Sequence, residues 1–164
     1  MSAEEALKTC IASLQQPEYG WIINELNEIL TLDDTQKTGR VQLLRDKLQA
    51  LSHEKPVHHA LLTLTELWPL NKKDDHGNYT CPLTLEAIKL RLVTSTGHHY
   101  ELSAINDYIK KDIKNPLTRK LFNEHDLQHI RNEARKNGLD IAIPPNTLKV
   151  LWSFCQWLFF NKPQ

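Results

Sequence analysis

A chain of 164 residues holds one ordinary domain or two small ones, and a 40% hydrophobic content suffices for a packed core. Its 20 basic and 20 acidic side chains cancel, which removes the basic footprint of a nucleic-acid-binding surface. Cys10, Cys81 and Cys155 stand far apart with no C-x-x-C pair, which excludes a disulfide framework and a zinc ribbon and points to a reducing compartment.

Residues 1–70 read as helices throughout. Ala6, Leu7, Cys10, Ile11 and Leu14 line one face of a first helix that ends near Gln16-Pro17. Ile22, Ile23, Leu26, Ile29 and Leu30 line a second, and Val41, Leu44, Leu48 and Leu51 a third. Pro56, suited to a first helical turn, opens a fourth with Val57, Leu61, Leu64 and Trp68 on its apolar face. Short polar breaks between them predict antiparallel neighbours in a small bundle. The acidic, helix-forming start carries no signal-peptide pattern, and no internal repeat stands out.

Residues 71–78, with their charges and an Asp-His-Gly-Asn turn, read as a linker. Beyond it the texture changes. Leu90–Thr96 is apolar and β-branched, and with the turn at Gly97 and the aromatic Tyr100 it predicts a small hairpin. Ser103 is the expected N-cap of a helix over Ala104–Lys111. Residues 126–137 read as helical, and a last helix starts near Pro145-Asn146-Thr147 and carries Leu148, Leu151, Trp152, Cys155 and Leu158. The apolar run Val150–Phe160 is too short to span a bilayer, so a soluble, cytoplasmic protein is expected. The fold class is α+β: a helical N-terminal domain over 1–70, then a second domain over 79–164.

In that second domain, four residue pairs recur at suggestive spacing: Cys81 and Thr84, Thr96 and His98, Glu101 and Ala104, Asn115 and Thr118. The spacing resembles the paired ligands of a two-zinc RING finger. Only Cys81 and His98 are usual zinc ligands, and in a RING they would serve different ions. A closed structural zinc site takes about four N or S donors, so neither site forms, and no metal or other cofactor is expected. Short polar side chains fill most ligand positions instead.

A metal-free RING frame resembles the U-box family. Its stations are Cys81-Pro82-Leu83-Thr84, Gly97-His98-His99-Tyr100, the helix Ala104–Lys111, Asn115-Pro116-Leu117-Thr118-Arg119 and Pro145-Asn146 before a closing helix. The match covers about residues 79–159, roughly half the chain. It departs from the family at Leu90-Arg91, where Asp-Pro is usual, and at Leu102, where Arg is common. Extra residues near 128–142 also separate the second loop from the closing Pro-Asn.

The resemblance implies a ubiquitin ligase that docks a ubiquitin-loaded conjugating enzyme and favours transfer to a substrate lysine, without a nucleophile of its own. Carried across by position, Leu83, Leu85, Tyr108 and Pro116 would contact the conjugating enzyme. Arg119 would be the cation that bridges that enzyme and ubiquitin. Cys81, Thr84, His98, Glu101, Asn115 and Thr118 would form the polar network that replaces zinc, with His98 donating a structural hydrogen bond. Small U-box proteins with unfamiliar flanking domains also resemble bacterial effectors, for which the location would be the host cytoplasm. Two rival readings stand beside it: a binder that docks conjugating enzymes without activating them, and a helical adaptor with a relic U-box.

Each residue also has an ordinary explanation. Leu83 and Leu85 fit a core, Pro116 a turn, Tyr108 a half-buried helix position and Arg119 a solvated surface. His98-His99 and His58-His59 do not read as metal pairs, since adjacent strand residues face opposite ways. Cys81 lacks a nearby base that would make it a thioester-forming nucleophile. The closing segment is apolar around most of its circumference; Trp157 and Phe160 meet the N-terminal bundle, a partner, or a second copy in a homodimer.

Overall fold

The computed structural model describes residues 1–141. The proposed Pro145-Asn146 station, the closing helix and its dimer face lie outside the described residues.

Four helices open the chain: α1 (Ala3–Ser13), α2 (Gly20–Thr31), α3 (Asp34–Gln49) and α4 (Lys55–Leu67). Each start follows from local chemistry. Ser2 and Glu5 form a reciprocal capping box at α1. Asp33 accepts from the amides of Thr35 and Gln36 at α3. Pro17 opens a short 3₁₀ turn leading into α2, and Pro56 sits in the first turn of α4.

α1 packs on α2 and α4, and α3 packs on the same two, so the helices close a ring. Leu7, Cys10 and Leu14 of the α1 stretch meet Ile22, Leu26 and Ile29 of α2 inside it. Val41, Leu44 and Leu48 of α3 and Val57, Leu61 and Leu64 of α4 complete that core. Burial of each such side chain contributes about 1.5–3 kcal/mol. Outside it, Glu25 pairs with both Arg40 and Lys47, joining α2 to α3.

A second core forms around a short antiparallel hairpin, β1 (Arg91–Val93) and β2 (His99–Glu101), with Leu92 opposite Tyr100. α5 (Leu102–Lys111) and α6 (Glu124–Lys136) pack against each other beside it. Leu92, Tyr100, Ile105, Ile109 and Ile130 fill this core. The described residues are thus mixed helix and small sheet. No helix among them is long and apolar enough to cross a membrane.

One boundary differs from expectation. α5 begins at Leu102 with Glu101 as its N-cap residue, not at Ser103. The Glu101 carboxylate makes no cap; it accepts from the amides of Lys89 and Leu90 across the hairpin mouth. Entry into the helix is therefore fixed by a contact distant in sequence, which outweighs the local preference for Ser.

Residues 71–78 are tied to the fold. Asn71 donates to the carbonyls of Thr80 and His99 and accepts from the His99 amide. Beside this clamp, the Leu70 amide donates to Gly97 O at 2.7 Å. Gly97 has φ +98°, and a Cβ there would lie 2.7 Å from Leu70 Cδ1 and 3.2 Å from Arg45 Nε. Gly97→Ala should therefore destabilise the protein by about 1–2 kcal/mol from backbone strain alone, read as a lowered melting temperature. An unchanged melt would show that the turn adopts another conformation.

Candidate functional site

The hairpin unit carries two turns with the same backbone. In the first, Cys81 N donates to Glu86 O at 2.8 Å and Leu85 N to Cys81 O at 2.8 Å. In the second, Asn115 N donates to Lys120 O at 2.7 Å and Arg119 N to Asn115 O at 2.9 Å. Isolated bridges, Thr80 with Ala87 and Lys114 with Leu121, close the two bases. Thr84 Oγ1 accepts from Glu86 N, and Thr118 Oγ1 from Lys120 N. Leu85 at φ 61° and Arg119 at φ 60° take the equivalent left-handed position. Cys81–Glu86 and Asn115–Lys120 are thus one turn used twice, with Pro-Leu-Thr at the same place in each.

The polar residues expected to replace zinc ligands fall into two networks. In one, Cys81 Sγ accepts from Glu101 N at 3.3 Å, and Glu101 holds Lys89 N and Leu90 N. In the other, Asn115 Oδ1 accepts from Leu117 N and Thr118 N while its Nδ2 donates to Thr96 Oγ1 at 3.2 Å. Thr96 is in turn bonded to Thr94. Cys81 is buried and its sulfur already serves as an acceptor.

His98 has a backbone hydrogen bond with Thr96, while its Nδ1 is buried without a side-chain partner. The bond that crosses to α4 belongs to its neighbour, His99 Nε2 to Thr65 O at 2.9 Å. Burial is the chief reason that both imidazoles sit below the ordinary histidine value. Among the described residues no group of three or more His, Cys, Asp or Glu could hold a metal ion.

Side chains at the turn tips sort into outward and inward positions. Leu85 is 80% exposed, whereas Leu83 turns back against the second core. Pro116 is half-buried. Arg119 is exposed but tethered: it donates to Tyr108 Oη at 3.3 Å and pairs with Asp112 at 3.4 Å. The structure thus brings Tyr108, Pro116 and Arg119 to one edge of the second turn and α5.

Two leucines not singled out from sequence also stand out there, Leu117 at 47% and Leu121 at 67% exposure. Leu117 occupies in the second turn the place of Leu83 in the first, a correspondence the repeated Pro-Leu-Thr could have revealed. Behind the second turn lies a cleft of about 710 Å³, walled by Arg45 and Gln49 of α3 and by His98, Asn115, Thr118 and Lys120. Its Arg45 is buried and donates to Gln42 Oε1 and Trp68 O.

No protein family, curated protein or solved structure matches this chain. Function therefore rests on the geometry itself.

The left-handed Leu85 gives a separable test of surface and scaffold. A leucine there costs about 1–2 kcal/mol of backbone strain, and its side chain recovers little by burial. Leu85→Gly should stabilise the fold by up to about 1 kcal/mol, after the entropy cost of glycine, with a small rise in melting temperature. A marked loss of stability would mean that Leu85 packs against something.

Proposed function

We propose that this protein is a ubiquitin ligase of the U-box type, acting by position. The carrying observation is the pair of matched turns with Leu85 at one tip and Arg119, beside Tyr108 and Pro116, at the other. An apolar knob, a proline platform and a tethered arginine suit a small, transient protein interface, in which a few central residues dominate the affinity. Hydrogen-bond networks at the zinc-ligand positions support the same reading, because they hold the turns without metal.

In this reading the turns grip a conjugating enzyme that carries ubiquitin as a thioester. The substrate lysine nitrogen attacks the thioester carbonyl, an isopeptide bond forms, and the conjugating enzyme's thiol leaves. The nitrogen's proton goes to solvent. The ligase contributes only restriction of the ubiquitin to a reactive arrangement, which lowers the entropic part of the barrier. The bundle would recruit or orient the substrate.

A second reading is favoured by one contact. Arg119 already pairs with Asp112 of its own chain; if that tether holds, the turns dock a conjugating enzyme without activating it.

A panel of conjugating enzymes assayed for self-ubiquitination decides between the two. Leu85→Ala and Pro116→Ala should each weaken conjugating-enzyme binding about tenfold, roughly 1.4 kcal/mol. Arg119→Ala should leave binding intact and slow ubiquitin discharge about tenfold. Binding without discharge by any enzyme selects the second reading; no binding at all removes both.

A further inference from the structure

The joint between the two cores is rich in histidine. His58, His98, His99, His125 and His129 all border it, five of the chain's 8. Histidine is the side chain whose ordinary pKa lets it change charge between about pH 5 and 8. We propose that this joint is a proton-sensitive hinge: at mildly acidic pH the hairpin lifts from α4, pivoting about the His58–Asp126 contact, while both cores stay folded.

The hairpin side of the joint tolerates no added proton. A carbonyl can only accept, so the 2.9 Å bond from His99 to Thr65 O places the ring proton on Nε2. Its Nδ1 is buried without a partner. A second proton there would make a buried cation whose new N–H has no acceptor, a costly arrangement. Arg91 of β1 adds repulsion, and Glu66 of α4 is already bound to Arg91 at 2.5 Å. The edge-on Tyr79 ring offers no carboxylate.

At His98 burial comes first and the facing cation, the buried Arg45 of α3, second, and together they outweigh a backbone hydrogen bond with Thr96 that favours the charged ring. Tyr100 flanks it with a ring and not an acid. Both imidazoles therefore stay neutral in the closed form. As pH falls through about 6.5, the opened form binds more protons than the closed one, and closure weakens in that direction.

The pivot is held by direct bonds. His58 Nε2 lies 2.9 Å from the Asp126 carboxylate, a buried contact that joins α4 to α6. The His125 ring, 5.2 Å away, donates to His53 O and keeps α6 on the α3–α4 loop. His129 on α6 also sits below the ordinary histidine value, chiefly through burial, with Glu133 and Asp126 acting against that and His58 and Lys136 with it. The α4–α6 side thus remains joined while the hairpin side disengages. Opening breaks the hydrogen bond from Leu70 N to Gly97 O and the Asn71 clamp on His99.

Amide hydrogen exchange on the full chain at pH 7.5 and 5.5 tests this. After correction for intrinsic exchange rates, protection at Leu70 and His99 should fall at least about tenfold at the lower pH. Protection at Leu26 in the bundle should hold. In His98→Gln/His99→Gln the amide side chain at 99 still donates to Thr65 O but cannot charge, so that loss should vanish. Equal protection at both pH values in the native chain overturns the proposal, as does an unaltered acid loss in the double variant. Should the variant not fold, NMR titration of native His99 decides: a midpoint well below 6.5 supports the hinge, and one at or above it overturns it.

Discussion

One buried carboxylate holds the architecture together. Asp126 is fully buried, and its charge is met by Ser95 N at 2.9 Å, Ser95 Oγ at 2.5 Å and His58 at 2.9 Å. A buried charge costs several kcal/mol unless its lone pairs are satisfied. Its three donors come from the hairpin turn and from α4, while Asp126 itself rides on α6. Meeting that requirement brings the bundle, the hairpin and the last described helix to one point. Ser, His and Asp here do not form a hydrolytic triad, because the serine hydroxyl bonds the carboxylate and not the imidazole.

Around that point the joint is almost wholly polar. Gln49 donates to Ser95 O, Asn123 to Ser52, and His125 to His53 O. Neither hydrophobic core crosses it. Directional bonds of this kind specify orientation more than they add stability, since each exchanges for water at a net of about 1 kcal/mol. The bundle is thereby held as an oriented arm beside the turns.

Much of the fold was legible in the chain. The spacing of Ile22, Leu26 and Ile29, and of Val41, Leu44 and Leu48, marks helices because a single buried face repeats at helical period. The hairpin was readable from its β-branched run and Gly97. What escaped depends on distance or on orientation. Asp126 and His58 are 68 residues apart, and nothing local to either announces the other. Periodicity could not say whether His98 or His99 would find the buried carbonyl, nor that Leu83 would face inward while Leu117 faces out. The turn used twice is marked in the sequence by the repeated Pro-Leu-Thr, but three residues do not by themselves show that the backbone hydrogen bonds around them are the same.

That doubled turn has a consequence for how any partner is addressed. Equivalent backbones would, if they bore equivalent side chains, offer a near-symmetric face that a visitor could engage in either of two senses. Nature has placed Leu85-Glu86 at one station and Arg119-Lys120 at the other. One tip is greasy and acidic, the other cationic, so only one sense of approach sets oil against oil and anion against cation. The asymmetry works as a polarity mark, written into a scaffold that is otherwise repeated.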